Sequence, residues 1–85
     1  MVVKVEVFST DSCPHCPAAM HAALEAEKEL EGVEVEIVKI VDAETQQRAM
    51  DYQIMAVPTI VINGNVEFVG APSKADLVAK LNTYL

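Results

Sequence analysis

The chain of 85 residues has no tryptophan, two tyrosines and two phenylalanines, so aromatic residues make up only 5% of it. Its core must be filled by aliphatic side chains and alanine, which pack tightly only where elements approach closely. Basic residues are also scarce. Lys4, Lys28, Lys39, Arg48, Lys74 and Lys80 are scattered singly against thirteen acidic residues, and the net charge is -7. Phosphate-rich partners need a basic patch, so neither a nucleic acid nor an anionic membrane is expected as a partner. The longest apolar stretch, Met55 to Ile62, is interrupted by Pro58 and falls far short of the roughly 18 residues that suggest a spanning helix. A secretory leader places an apolar block after a basic start, whereas Met1 to Phe8 carries Lys4 and Glu6 inside an alternating pattern. The expectation is a cytoplasmic, monomeric protein with one domain over residues 1–85.

Cysteine is limited to Cys13 and Cys16. As a staple the pair would be weak, because closing so short a loop is worth about 2 kcal/mol, against roughly 4.7 for a loop near 100 residues. The spacing is better suited to a redox-active pair or to metal binding.

There is no repeat and no flexible linker, and the three glycines and four prolines fall at the ends of patterned segments. Val3, Val5 and Val7 alternate with Lys4, Glu6 and Phe8, a strand pattern that stops at Ser9-Thr10-Asp11-Ser12. From about Pro14 to Leu30 the spacing becomes helical, with Cys16, Ala19, Met20, Ala23, Leu24 and Leu30 as the apolar stripe and Gly32 as the stop. Val33 to Ile40 alternates again. Strand, helix, strand of this kind makes a right-handed parallel unit. Asp42 can cap a second helix to about Tyr52, with Gln53 standing where a glycine would end it comfortably. Thr59 to Asn63 and Val66 to Val69 form a hairpin about Asn63-Gly64. Ser73 with Asp76 opens a last helix to Leu85, with Ala75, Leu77, Val78 and Leu81 facing inward. The fold class is α/β, β-α-β-α-β-β-α, with helices on both faces of a four-stranded mixed sheet. Met20, Met50 and Met55 are expected to fill the core, and the glutamates from Glu25 to Glu36 to form a solvated edge.

This order, with Cys13-Pro14-His15-Cys16-Pro17 after the first strand and Met55-Ala56-Val57-Pro58-Thr59 opening the third, resembles the thioredoxin fold. It is most similar to the small archaeal-type thioredoxin/glutaredoxin-like redox proteins. The resemblance implies a thiol-disulfide oxidoreductase that acts on disulfide-bearing proteins and draws electrons from a reductase or a low-molecular-weight thiol. It implies no cofactor beyond a redox-active Cys13-Cys16 disulfide. It further implies that Cys13 attacks and Cys16 resolves, with Pro14 and His15 supporting, and that a cis Val57-Pro58 bond leaves the Val57 backbone free to pair with substrate. Several positions depart from that family: Ser12 stands where standard thioredoxins carry tryptophan, Val7 where they carry a buried aspartate, and Asp11 and Gly70-Ala71 where glutaredoxins offer a basic residue and a Gly-Gly turn for glutathione.

The chemistry fits the placement. Exchange needs a thiolate, and an ordinary cysteine near pKa 8.5 is mostly protonated at neutral pH. Unpaired amides at the start of the first helix favour the Cys13 anion. A protonated His15 adds positive charge, which nearby Asp11 is expected to offset in part. If Cys13 caps the helix, Pro17 should distort its first turn. His21, farther along the helix, is expected to be an ordinary surface residue. The alternative is a soft-metal carrier of copper or zinc using the same pair, although such folds end in a strand and this chain's last segment is helical.

Overall fold

A computed structural model describes residues 2–85. The elements are β1 Val3–Ser9, α1 Cys16–Glu29, β2 Val33–Lys39, α2 Ala43–Asp51, β3 Thr59–Ile62, β4 Asn65–Val69 and α3 Lys74–Tyr84. They form one mixed sheet in the order β2-β1-β3-β4, in which β1 is parallel to β2 and antiparallel to β3. The central strands are covered on both sides. Val3, Val5, Val7, Ile60 and Ile62 pack against α1 and α3, and Phe8, Val38 and Val61 pack against Ala49 of α2 with Tyr52 and Ile54.

The scarcity of aromatics shows in how α1 packs. Its buried stripe is Cys16, Ala19, Ala22, Ala23 and Ala26, small side chains that let the helix backbone lie close to a valine-rich sheet face. That stripe turns Leu24 outward, where it is 41% exposed instead of buried as its spacing suggested. Two further core expectations fail. Met50 and Met55 are exposed, Met55 at 97%, while Met20 is half-buried against the core. Ala75 is exposed as well, since Leu77 and Leu81 suffice to fill the space beneath α3.

Local signals explain the element ends. α1 begins at Cys16 with His15 as its N-cap residue, so Pro17 lies in the first turn, where its missing N–H removes no hydrogen bond. The expected distortion is therefore absent: the Ala19 amide donates to the His15 carbonyl at 3.3 Å. Asp42 accepts the Thr45 amide at 2.9 Å and its own amide donates to Thr45 Oγ1 at 3.1 Å, a reciprocal cap for α2. At the other end Gln53 adopts φ 58°, the Ile54 amide returns to the Ala49 carbonyl and the Gln53 amide to that of Met50. This is a left-handed helix stop built without glycine. Asn63 and Gly64 both have positive φ, as a tight hairpin turn requires. The ladder pairs Ile60 with Phe68 but Val61 with Val66, leaving Glu67 as an extra residue in β4.

One interaction was hidden in the alternation of β1. Glu6, on the face of β1 opposite its buried valines, lies beneath α2 at 8% exposure. It accepts hydrogen bonds from Arg48 at 2.6 Å and the Tyr52 hydroxyl at 3.0 Å. Arg48 also reaches both oxygens of Glu36, at 3.1 and 3.2 Å, which holds the Glu36 carboxyl below its ordinary range. The acidic segment is thus more than a solvated edge, since Glu27 also accepts the Val35 amide at 2.8 Å. Phe8 on the same face of β1 is buried under α2 as well, in keeping with the expected helices on both faces.

Candidate active site

The sheet brings the two unusual segments of the sequence to one end of the molecule. Phe8 pairs with Thr59 as the last pair of the β1–β3 ladder, so Ser9 and Pro58 follow it at the same end of the sheet. The chain leaving β1 through Thr10 to His15 and the chain entering β3 through Val57 and Pro58 therefore join the sheet at the same end. α1 starts at this same end. Of the residues singled out in the sequence, Cys13, Pro14, His15, Cys16, Val57 and Pro58 are all located here.

Cys13 and Cys16 are joined as a disulfide, with Cα atoms 5.4 Å apart. Their surroundings differ. Cys16, the first residue of α1, is 1% exposed, whereas Cys13 lies in the preceding turn and is only partly buried. Pro14 and His15 are exposed, Val57 is half-buried and Pro58 is buried. The Val57-Pro58 peptide bond is cis, as the resemblance implied. The segment is anchored by the Thr59 hydroxyl donating to the Ala56 carbonyl at 2.6 Å and by the Gly70 amide donating to the Pro58 carbonyl at 2.7 Å.

Electrostatically, the start of α1 is bare. No side chain caps it and its first turn contains no acid, whereas Asp42 caps α2 and Ser73 caps α3 through the Asp76 amide at 3.1 Å. The positive end of the α1 dipole is therefore left to the sulfur held against Cys16. The Asp11 carboxylate pairs with Lys39 at 3.3 Å on the surface.

Among the described residues, no group of three or more histidine, cysteine and acidic side chains is placed to hold a metal ion, and no helix is long and apolar enough to cross a membrane. The element order β-α-β-α-β-β-α gives no support to the soft-metal carrier reading.

Comparison with known proteins agrees with this geometry. The family model described as a thioredoxin domain matches residues 3–82. The chain is 51% identical over 84 residues to a thioredoxin of Methanocaldococcus jannaschii, covering 98% of this chain and 96% of that one. It is 45% identical over 82 residues to a probable thioredoxin of Methanothermobacter thermautotrophicus, covering 96% and 95% respectively. Among solved structures, a mutant thioredoxin of Halobacterium salinarum superposes with a TM-score of 0.79 at 24% identity, covering 96% of this chain and 74% of that one. Matched by the family model over most of its length and by these relatives over nearly all of theirs, the chain belongs to the thioredoxin family and is a thiol-disulfide oxidoreductase.

Proposed function

We propose that the protein reduces disulfides in other proteins, with Cys13 as the attacking thiol and Cys16 as the resolving one. The observation that carries this assignment is the contrast in access, Cys16 being 1% exposed and Cys13 only partly buried. A bulky disulfide can reach the outer sulfur, and only an intramolecular attacker can use the inner one. The Cys13 thiolate, favoured by the uncapped start of α1, attacks one sulfur of the substrate disulfide. The substrate's other sulfur leaves with the electron pair and takes up a proton. Cys16 then loses its proton and attacks the Cys13 sulfur, and the second substrate sulfur leaves as a thiol. The Cys13-Cys16 disulfide that results is returned to the dithiol by a reductase or a low-molecular-weight thiol.

Around this pair His15 tunes the thiolate, Pro14 stiffens the turn between the cysteines, and Val57 beside Pro58 offers its backbone to an extended substrate segment. Pro17, next to Cys16 in sequence, and Met55 and Ala56, which precede Val57, are exposed and suit apolar flanks of such a segment. The same proposal has the protein acting as a cytoplasmic monomer. Its test is insulin-type disulfide reduction driven by dithiothreitol. Wild-type protein accelerates the reaction, Cys13→Ser falls to the uncatalysed rate, and Cys16→Ser accumulates a mixed disulfide without turnover. Catalysis by Cys13→Ser at the wild-type rate would refute the assignment.

A further inference from the structure

Ser9 is 1% exposed, and its hydroxyl oxygen has no hydrogen-bond partner among the described residues. Such groups are rare in folded proteins and call for a reason. The alternation of β1 puts Ser9 on the same side as Val3, Val5 and Val7, the side packed against α1 and α3. α1 runs back along that side from Cys16, so the last residue of β1 and the first of α1 share one end and one face of the sheet. Both are 1% exposed. The β1–β3 ladder ends at the pair Phe8 and Thr59, and Pro58, just before it, has no N–H to donate. The buried residues packed on this face, among them Val5, Val7, Ile60, Leu77 and Leu81, carry no polar side-chain group, and the hydroxyl of Tyr84, which packs at the cluster's edge, is engaged with Glu67 and Asn65. The charged side chains near this end, Asp11, His15 and Lys39, are exposed.

We propose that the Ser9 hydroxyl donates a hydrogen bond to the Cys16 sulfur once the disulfide is open, stabilising the thiolate that Cys16 must become to release substrate. The inference rests on the resolving role given to Cys16 above. A disulfide sulfur is a weak acceptor, so the hydroxyl is unpaired in the oxidised protein; a thiolate is a charged acceptor, and a hydrogen bond to it is correspondingly stronger. The interaction is thus made in the reacting state and not in the resting one, the condition for it to speed a step. In that step the Cys16 proton goes to solvent. A bond forms between the sulfurs of Cys16 and Cys13, the bond from Cys13 to the substrate breaks, and the departing substrate sulfur carries off the electron pair and is protonated by solvent. Ser9 keeps its own proton throughout.

The test mixes reduced protein with a stoichiometric aromatic nitrobenzoate disulfide, whose released thiolate is coloured, and follows release by stopped flow. One equivalent appears as Cys13 attacks and a second as Cys16 displaces the adduct. Ser9→Ala is expected to slow the second phase about tenfold, as loss of one hydrogen bond to a charged group would. It should leave the first phase unchanged and the melting temperature of the oxidised protein unchanged or raised. Ser9→Thr, which keeps a hydroxyl, should restore the second phase. A second phase in Ser9→Ala equal to wild type overturns the inference. So does equal slowing of both phases with a lowered melting temperature, which would mark a packing defect. Cys16→Ser separates the two readings. If it still releases the second equivalent, the role of Cys16 falls and the inference with it. If it does not, and Ser9→Ala behaves as wild type, only the inference about Ser9 falls.

Discussion

Cys13 and Cys16 share a disulfide but not an environment: Cys16 opens α1 at 1% exposure, and Cys13, in the turn before it, remains partly open to solvent. The difference follows from Pro17, which fits the first turn of α1 and so starts the helix at the second cysteine instead of the first. Cys13 is left outside the helix, facing its bare positive end.

His15 should raise the reduction potential. Each pKa unit by which the fold lowers Cys13 stabilises the reduced state by about 1.4 kcal/mol and raises the potential by roughly 30 mV. A lower pKa makes a stronger oxidant. The protein is expected between about -270 and -120 mV, the values of a reducing and a strongly oxidising member of this chemistry. Equilibration against a glutathione buffer should show His15→Ala lower by roughly 15 to 30 mV; an unchanged potential contradicts the tuning role.

Arg48 secures the opposite face of the sheet. Its guanidinium holds Glu6, which α2 covers, together with Glu36. Arg48→Met leaves the Glu6 carboxylate with the Tyr52 hydroxyl as its only side-chain partner among the described residues, and chemical denaturation should show a loss of about 2 kcal/mol. Disulfide reduction by the folded variant should be unaffected, because α2 lies across the sheet from α1. A loss below about 0.5 kcal/mol, as for an exposed pair, would contradict this.

Acid should weaken the same network in a predictable direction. The hydrogen bond from Arg48 holds the Glu36 carboxyl below its ordinary value of 4.5. A carboxyl depressed in the folded state contributes stability that is complete above the unfolded pKa and is lost as pH falls through the lower folded one. Stability should therefore decline below about pH 4.5, and Arg48→Met should flatten the Glu36 part of that decline. An identical acid slope in the variant would contradict the assignment.

Much of the fold was legible because its signals are local. The valine alternation of β1 and β2, the Asn63-Gly64 turn and the caps at Asp42 and Ser73 each act within a few residues, and all appear where they were expected. The placement of the Cys13-Cys16 and Val57-Pro58 segments was legible only through the resemblance, since nothing local brings residues so far apart together. What was missed depends on tertiary packing. Alanine spacing gives a weak stripe beside Leu24, so the face of α1 was decided by how closely the helix approaches the sheet. The partners of Glu6, Arg48 and Tyr52, lie more than forty residues away and meet it only when α2 covers that face of the sheet. Ser9 looked like one more polar residue ending a strand, and its burial appears only when α1 is laid over the same end.

Gln53 offers a test of backbone strain. It holds φ 58° to let Ile54 pack under α2, a conformation that disfavours residues with a Cβ. Gln53→Gly should stabilise the protein by about 0.5 to 1 kcal/mol in thermal or chemical melts, the relief exceeding the added freedom of the unfolded chain. Destabilisation would contradict this account of the α2 terminus.

The central claim is that the two sulfurs differ in access and charge, with Cys13 as the nucleophile. It is tested most directly by limited alkylation of the fully reduced protein near pH 6, followed by peptide mass spectrometry to count label at each cysteine. The account predicts that Cys13 is labelled first and that Cys16 reacts only after denaturation or at much longer times. Preferential or equal labelling of Cys16 would contradict it.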